Sequence, residues 1–286
     1  MAVMKFPTPP LRWRLSALGC FLSGALPAPA LNVALLHALD KDAQTFAAAA
    51  GVPPVAITCG DRRLQRFTLG AHTVITVKMG SGGNETAVSA TCVLTRFPCD
   101  LLISIGPAGA LKNDLPPDTL VLVDRLHPWQ TSQDAVIPLK IPDFVKMAAE
   151  TGKTPEWIVP GFGKVVRTGC ASGELFIQSS VQRQELAAQA TIVDMNTLGA
   201  ETAAAAWKVP CLHLRVVSDL ANESARADFL SFTQSYDGRL GRAAFQFIQS
   251  LPPDPARPES YEALRRLIPP APEVPSTPAL PPTPRK

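Results

Sequence analysis

Between Gly80 and Gly109 the chain reads GSGGNETAVSATCVLTRFPCDLLISIGPAG. A glycine turn, Gly80-Ser81-Gly82-Gly83, opens a helical pattern over Asn84 to Thr95. An apolar run, Asp100 to Ile105, follows, and it leaves through a second glycine turn, Gly106-Pro107-Ala108-Gly109. An apolar run of strand length, entered from a helix and left through a glycine turn, marks a strand covered on both faces, as in a parallel sheet.

The same alternation extends both ways. Asn32 to Leu36 reads as a first strand, Asp40 to Ala50 as a helix, and Phe67 to Leu69 with Thr73 to Val77 as a hairpin turned by Gly70. Downstream, Thr119 to Val123 and Lys164 to Thr168 read as strands, on either side of a breaker-rich, loop-like stretch from Pro128 to Pro160. A helix near Val181 to Ala190, strand Thr191 to Asp194, helix Thr197 to Lys208, strand Cys211 to Val217 and one final helix to Ser250 complete the pattern. The expected fold is a single α/β domain over residues 31–250, a three-layer α/β/α sandwich around a mixed, mostly parallel sheet.

The two ends read differently. Lys5, Arg12 and Arg14 precede the apolar run Leu15 to Leu26, which ends in Ala28-Pro29-Ala30, the order of an export signal over residues 1–30. That predicts a periplasmic or secreted protein. A retained extension on a cytoplasmic chain is the alternative, and the run is too short to cross roughly 30 Å of hydrocarbon as a helix. Residues 251–286 are proline-dense and predict a disordered tail.

Lys+Arg 27 against Asp+Glu 24 leaves a net charge of +3, with the basic residues scattered, so nothing points to nucleic acid. Removal of residues 1–30 would leave five cysteines, Cys59, Cys92, Cys99, Cys170 and Cys211, without metal-ligand spacing. They read as core thiols with at most one or two disulfides, and the sequence calls for no metal or cofactor.

In open sheets ligands lie beyond the carboxyl ends of the strands. There the chain carries His37 to Asp42, Gly80 to Gly83, Gly106 to Gly109, Met195-Asn196 and Ser218-Asp219. Glycine turns bring backbone N–H groups close to a ligand. Gly80 to Gly83 is neither GxGxxG nor a Walker A sequence, so a dinucleotide or NTPase reading does not hold.

Over about Leu31 to Ser250 these residues resemble the nucleoside phosphorylase/nucleosidase family, nearest its 5′-methylthioadenosine/S-adenosylhomocysteine nucleosidase branch. Asn32 to Asp42 is similar to the family's opening strand and acidic turn, and Gly80 to Gly109 to its glycine turn, helix and strand end. Gly173-Glu174-Leu175-Phe176-Ile177 is similar to the segment that covers the base. Asp194-Met195-Asn196 followed by Arg215-Val216-Val217-Ser218-Asp219 is the most specific part.

The resemblance implies cleavage of a purine nucleoside's N-glycosidic bond by a homodimer or higher homo-oligomer, with Asp219 as the acid at the base N7. It also implies that Asp42, beside Arg215, orients the attacking water. Phe176, Ile177, Met195, Asn196, Ala108, Gly109, Gly80, Ser81 and Ser218 are implied to contact the substrate. Without the resemblance Phe176 and Met195 read as core, Asp219 as a helix cap and Asp42 as a solvated first-turn acid.

Three departures stand out. Asp42 is a methylene shorter than the family's Glu, Asn196 replaces its sugar-binding Glu, and Pro107 replaces the serine of its Ser-Ala-Gly turn. An amide and a proline bind hydroxyl groups less well than a carboxylate and a serine. Glu201, roughly a turn and a half beyond Asn196, is too far along its helix to substitute. The Asp42 opening makes hydrolysis the leading reading; the alternatives are phosphorolysis, with phosphate as a second ligand but no phosphorylase-like arginine near the first strand, and non-catalytic nucleoside binding or storage, with which Asn196 and Pro107 agree.

Overall fold

The computed structural model describes residues 31–131, 136–142, 148–150 and 156–252, so the expected export signal and the tail beyond residue 252 lie outside the described residues. The elements are β1 (Asn32–His37), α1 (Asp40–Ala50), β2 (Val55–Cys59), β3 (Arg62–Leu69), β4 (His72–Lys78), α2 (Gly83–Leu94), β5 (Leu101–Ala110), β6 (Leu120–Pro128) and β7 (Ile137–Pro138). They continue with β8 (Ala148–Glu150), β9 (Glu156–Val159), β10 (Gly163–Ser172), α3 (Ser180–Ala187), β11 (Ile192–Asp194), α4 (Thr197–Ala206), β12 (Cys211–Asp219), α5 (Ala225–Ser235) and α6 (Arg239–Ser250).

The strands form one sheet in the order β2-β3-β4-β1-β5-β12-β6-β10-β9-β8, with β11 bridging β10 and β5 and β7 on β6. β1 runs parallel to β4 and β5, and β12 parallel to β5, so the centre is parallel as expected. β12 meets β6 antiparallel, which makes the sheet mixed.

Strand parity explains the layers. Val33 and Leu35 of β1, Leu101 and Ile103 of β5, and Leu212, Leu214 and Val216 of β12 pack with Phe46 of α1, Phe232 of α5 and Phe247 of α6. The intervening Ala34, Leu36, Leu102 and Cys211 pack with Ala90 and Val93 of α2 and with Ala200 and Ala204 of α4. Alternate side chains of one strand thus feed opposite helix layers. α6 buries Leu240, Ala243, Ala244, Phe247 and Ile248, the spacing of a single apolar stripe.

The structure differs from expectation in three places. The loop-like stretch from Pro128 to Pro160 includes the short strands β7, β8 and β9, and β2 adds an edge strand to the hairpin. The single final helix is two, α5 and α6, broken at Gly238, whose φ of +74° suits glycine and where a Cβ would lie 2.6 Å from the Lys41 carbonyl oxygen. Cys59, Cys92, Cys170 and Cys211 are free thiols, and Cys99, Cys170 and Cys211 are buried. No described helix is long and apolar enough to cross a membrane.

Candidate functional site

A cavity of about 650 Å³ opens where β1, β4, β5 and β12 end and is closed by the segments after β10 and β11. Gly80 and Ser81 line it from the first glycine turn, Ala108 and Gly109 from β5, and Phe176 and Ile177 from the loop after β10. Met195 and Asn196 enter from the turn between β11 and α4, and Ser218 and Asp219 from the end of β12.

Asp219 is 2 % exposed. Its Oδ1 accepts the Ala221 N–H at 2.9 Å and its Oδ2 the Ser218 hydroxyl at 2.8 Å. Burial pushes its proton affinity up and nearby Asp228 adds to this, while the two hydrogen bonds oppose it. A Cβ on Gly109 would lie 2.8 Å from Oδ1, so glycine is needed there for the carboxyl to sit against β5. The result is a carboxyl with raised proton affinity on the wall of a mostly apolar cavity, a favourable place for a general acid.

Asn196 has a defined job. Its Nδ2 donates to the Gly80 carbonyl at 2.9 Å and to Thr86 Oγ1 at 2.7 Å, and Thr86 in turn donates to the Gly82 carbonyl. A carbonyl can only accept, so the amide orientation is set by chemistry. A glutamate could not donate these two bonds, which is a local reason for an amide at this position. Pro107 stands on the same wall and offers no N–H. Phe176 meets Phe229 of α5 edge-on at 5.8 Å, forming an aromatic side to the cavity.

The expected pairing of Asp42 with Arg215 is not formed. Asp42 is 0 % exposed and faces α6 and the connection before it, where its Oδ1 accepts the Tyr236 hydroxyl at 2.8 Å and the Gly241 N–H at 3.2 Å. Burial raises its pKa to about 6, with the Tyr236 and Gly241 bonds opposing. Arg215 shares the strand face of Cys211 and His213, toward α4, and bonds Asp194, Ser104 and Thr197. The sheet separates the two groups, and neither is on the cavity wall. The physical reason is that the α5–α6 connection supplies Asp42 with the Tyr236 hydroxyl and α6 with the Gly241 N–H.

Several lining residues went unforeseen. Asp61, Arg62 and Arg63 come from the β2–β3 turn and β3, and Phe229 from α5. Three consecutive charged residues at a hairpin turn read as an ordinary solvated loop, and Phe229 as one more apolar residue of a helix. Glu201 does not reach the wall; its carboxylate lies 3.1 Å from His213 Nε2, while Cys211 Sγ is 3.9 Å from Nδ1. The imidazole uses opposite nitrogens, so the trio forms a hydrogen-bonded chain. Burial holds His213 below the ordinary histidine range.

The chain resembles known proteins in both sequence and shape. It is 26% identical over 176 residues to the 5′-methylthioadenosine/S-adenosylhomocysteine nucleosidase of Staphylococcus saprophyticus, covering 56% of this chain and 75% of that protein. The corresponding nucleosidase of Staphylococcus haemolyticus is 27% identical over 202 residues, covering 66% and 85%. The native structure of futalosine hydrolase of Helicobacter pylori superposes with a TM-score of 0.64 at 18% identity, covering 77% of this chain and 98% of that one. A sequence model of the phosphorylase superfamily matches residues 32–249, most of the chain, and the chain belongs to that superfamily.

Proposed function

We propose that this protein hydrolyses the N-glycosidic bond of a purine nucleoside of the 5′-methylthioadenosine/S-adenosylhomocysteine type, with Asp219 as the acid that meets the leaving base. The observation that carries this is the buried Asp219 carboxyl, with raised proton affinity, on the cavity wall. The names of the similar nucleosidases support the substrate class.

Bond cleavage builds positive charge on the sugar and negative charge on the departing purine. A proton from Asp219 to N7 removes the second charge. Phe176 stacks on the base, with Ile177 and Met195 completing the apolar walls. When the bond to the base breaks ahead of attack, the oxocarbenium-like sugar is captured by neutral water, whose proton passes to solvent once the C–O bond has formed, so hydrolysis does not need Asp42 on the cavity wall. Glu174 sets its own carboxylate at the α2 N-terminus, accepting the Asn84 N–H at 2.9 Å, which favours water over phosphate as acceptor.

The position of Asp42 also favours a second reading, nucleoside binding without turnover. One experiment separates these: purified protein incubated with a nucleoside panel, with and without phosphate, while free base is followed. Base release without phosphate, unchanged by adding it, is expected. Release only with phosphate means phosphorolysis, and binding without release means a binding protein.

Two further parts of the proposal rest on other features. Export rests on the order of basic, apolar and small residues in 1–30 and is checked by the intact mass of native protein, which should lack that segment. Self-association into a homodimer or larger rests on the apolar Leu175, half-exposed on the cavity wall, and on Leu230 beside Phe229. Sedimentation should give more than the mass of one chain.

A further inference from the structure

Arg215 is 1 % exposed and carries every donor of its guanidinium toward a partner. Its Nε donates to Asp194 Oδ2 at 2.6 Å, and its Nη1 to the carbonyls of Ser104 and Leu214 at 2.8 and 3.0 Å. Its Nη2 donates to Ser104 Oγ at 3.0 Å and Thr197 Oγ1 at 2.8 Å. None of these partners is a ligand, and no donor is left over for one.

Asp194 is the other half of the device. Burial alone would push its carboxyl up, but the Arg215 charge, with hydrogen bonds from Ser172 and Thr197, brings it below the ordinary carboxylate range. It accepts the Thr197 N–H at 3.1 Å and the Thr197 hydroxyl at 2.6 Å, while the next amide, Leu198 N–H, bonds Ser172 Oγ at 3.0 Å. The first turn of α4 is therefore pinned from β10, β11 and β12 together. That turn begins directly after Met195 and Asn196, both on the cavity wall. It is also pressed on the glycine turn: a Cβ on Gly199 would lie 1.9 Å from the Gly83 carbonyl oxygen.

We propose that Arg215 is a positioning residue which acts through Asp194 and Thr197 to hold the 194–199 turn, and through it the Met195–Asn196 wall, in a binding-ready shape before ligand arrives. It does not meet the substrate or the water. This rests on the nucleoside reading for its kinetic test alone.

That test compares Arg215→Lys, Asp194→Asn and the double variant. Lysine keeps the charge but loses the planar fork, so KM should rise by about tenfold or more with kcat within about threefold. Asp194→Asn should do the same, and the double variant should be no worse than the poorer single one, because both changes break one device. Multiplied effects, or a loss in kcat with KM unchanged, would mean that Arg215 touches the reacting atoms and would overturn the proposal. Should the parent bind nucleoside without turnover, the dissociation constant takes the place of KM.

Hydrogen exchange on the unaltered protein decides the matter even if a variant fails to fold or no nucleoside binds. The amides of Thr197 and Leu198 should exchange as slowly as those of β12 without any ligand. Fast exchange there in the free protein would show that the turn is not held and would sink the proposal.

Discussion

Two buried carboxyls, Asp219 at the end of β12 and Asp42 in the first turn of α1, share one electrostatic feature: burial raises the proton affinity of both. They differ in what they face. Asp219 stands on a cavity wall with space for a ligand before it, whereas Asp42 is sealed between α1 and α6 under the Tyr236 hydroxyl. A shifted titration alone thus does not mark a catalytic group; a reachable reacting atom is also required.

The largest effect that could break this contrast is on turnover. Asp219→Asn keeps the shape and a hydrogen bond to the base but cannot deliver a proton, so kcat should fall by on the order of 10². Affinity for an uncleaved nucleoside analogue should change far less, because contacts in the ground state survive. Turnover within a few-fold of the parent would reduce Asp219 to a turn cap.

A smaller effect, and on stability, is expected at Asp42. Its carboxyl binds a proton more tightly folded than unfolded, so its contribution is complete below its ordinary value of 3.8 and falls away as pH climbs through about 6. The span of about two units corresponds to roughly 3 kcal/mol as an upper bound. Asp42→Asn keeps the acceptor for Tyr236 and Gly241 and removes that charge, so denaturant unfolding at pH 8 should show a variant at least as stable as the parent. At pH 4 the advantage should vanish. Nucleoside affinity should stay within a few-fold, and a large loss would place Asp42 back in the site.

The contrast also shows what the chain's order of residues reveals. The central strands were legible because Val33, Ala34, Leu35 and Leu36 form a continuous apolar run that only a doubly covered strand accommodates. The cavity followed from the same logic, since residues just beyond strand ends converge whatever helices surround them. That logic puts Asp219, Met195 and Gly109 at the right edge of the sheet, while their contact with a substrate is implied by the resemblance alone.

Asp42 was not, because its environment is set by Tyr236, 194 residues away, on a short connection between helices read as one. Nothing near Asp42 signals that contact. The role of Asn196 was hidden likewise: an amide looked like a weakened carboxylate until its donors were seen on Gly80 and Thr86. The resemblance gave both residues a place in the site, and tertiary packing moved one of them out.

The most direct test of the account is the pH dependence of kcat/KM for base release, measured on the parent, Asp219→Asn and Asp42→Asn. With Asp219 as the acid, the parent should lose rate as pH rises through that residue's raised pKa, Asp219→Asn should lack this limb, and Asp42→Asn should retain it. A limb that persists in Asp219→Asn, or that disappears in Asp42→Asn, would contradict the assignment of the acid to the cavity wall.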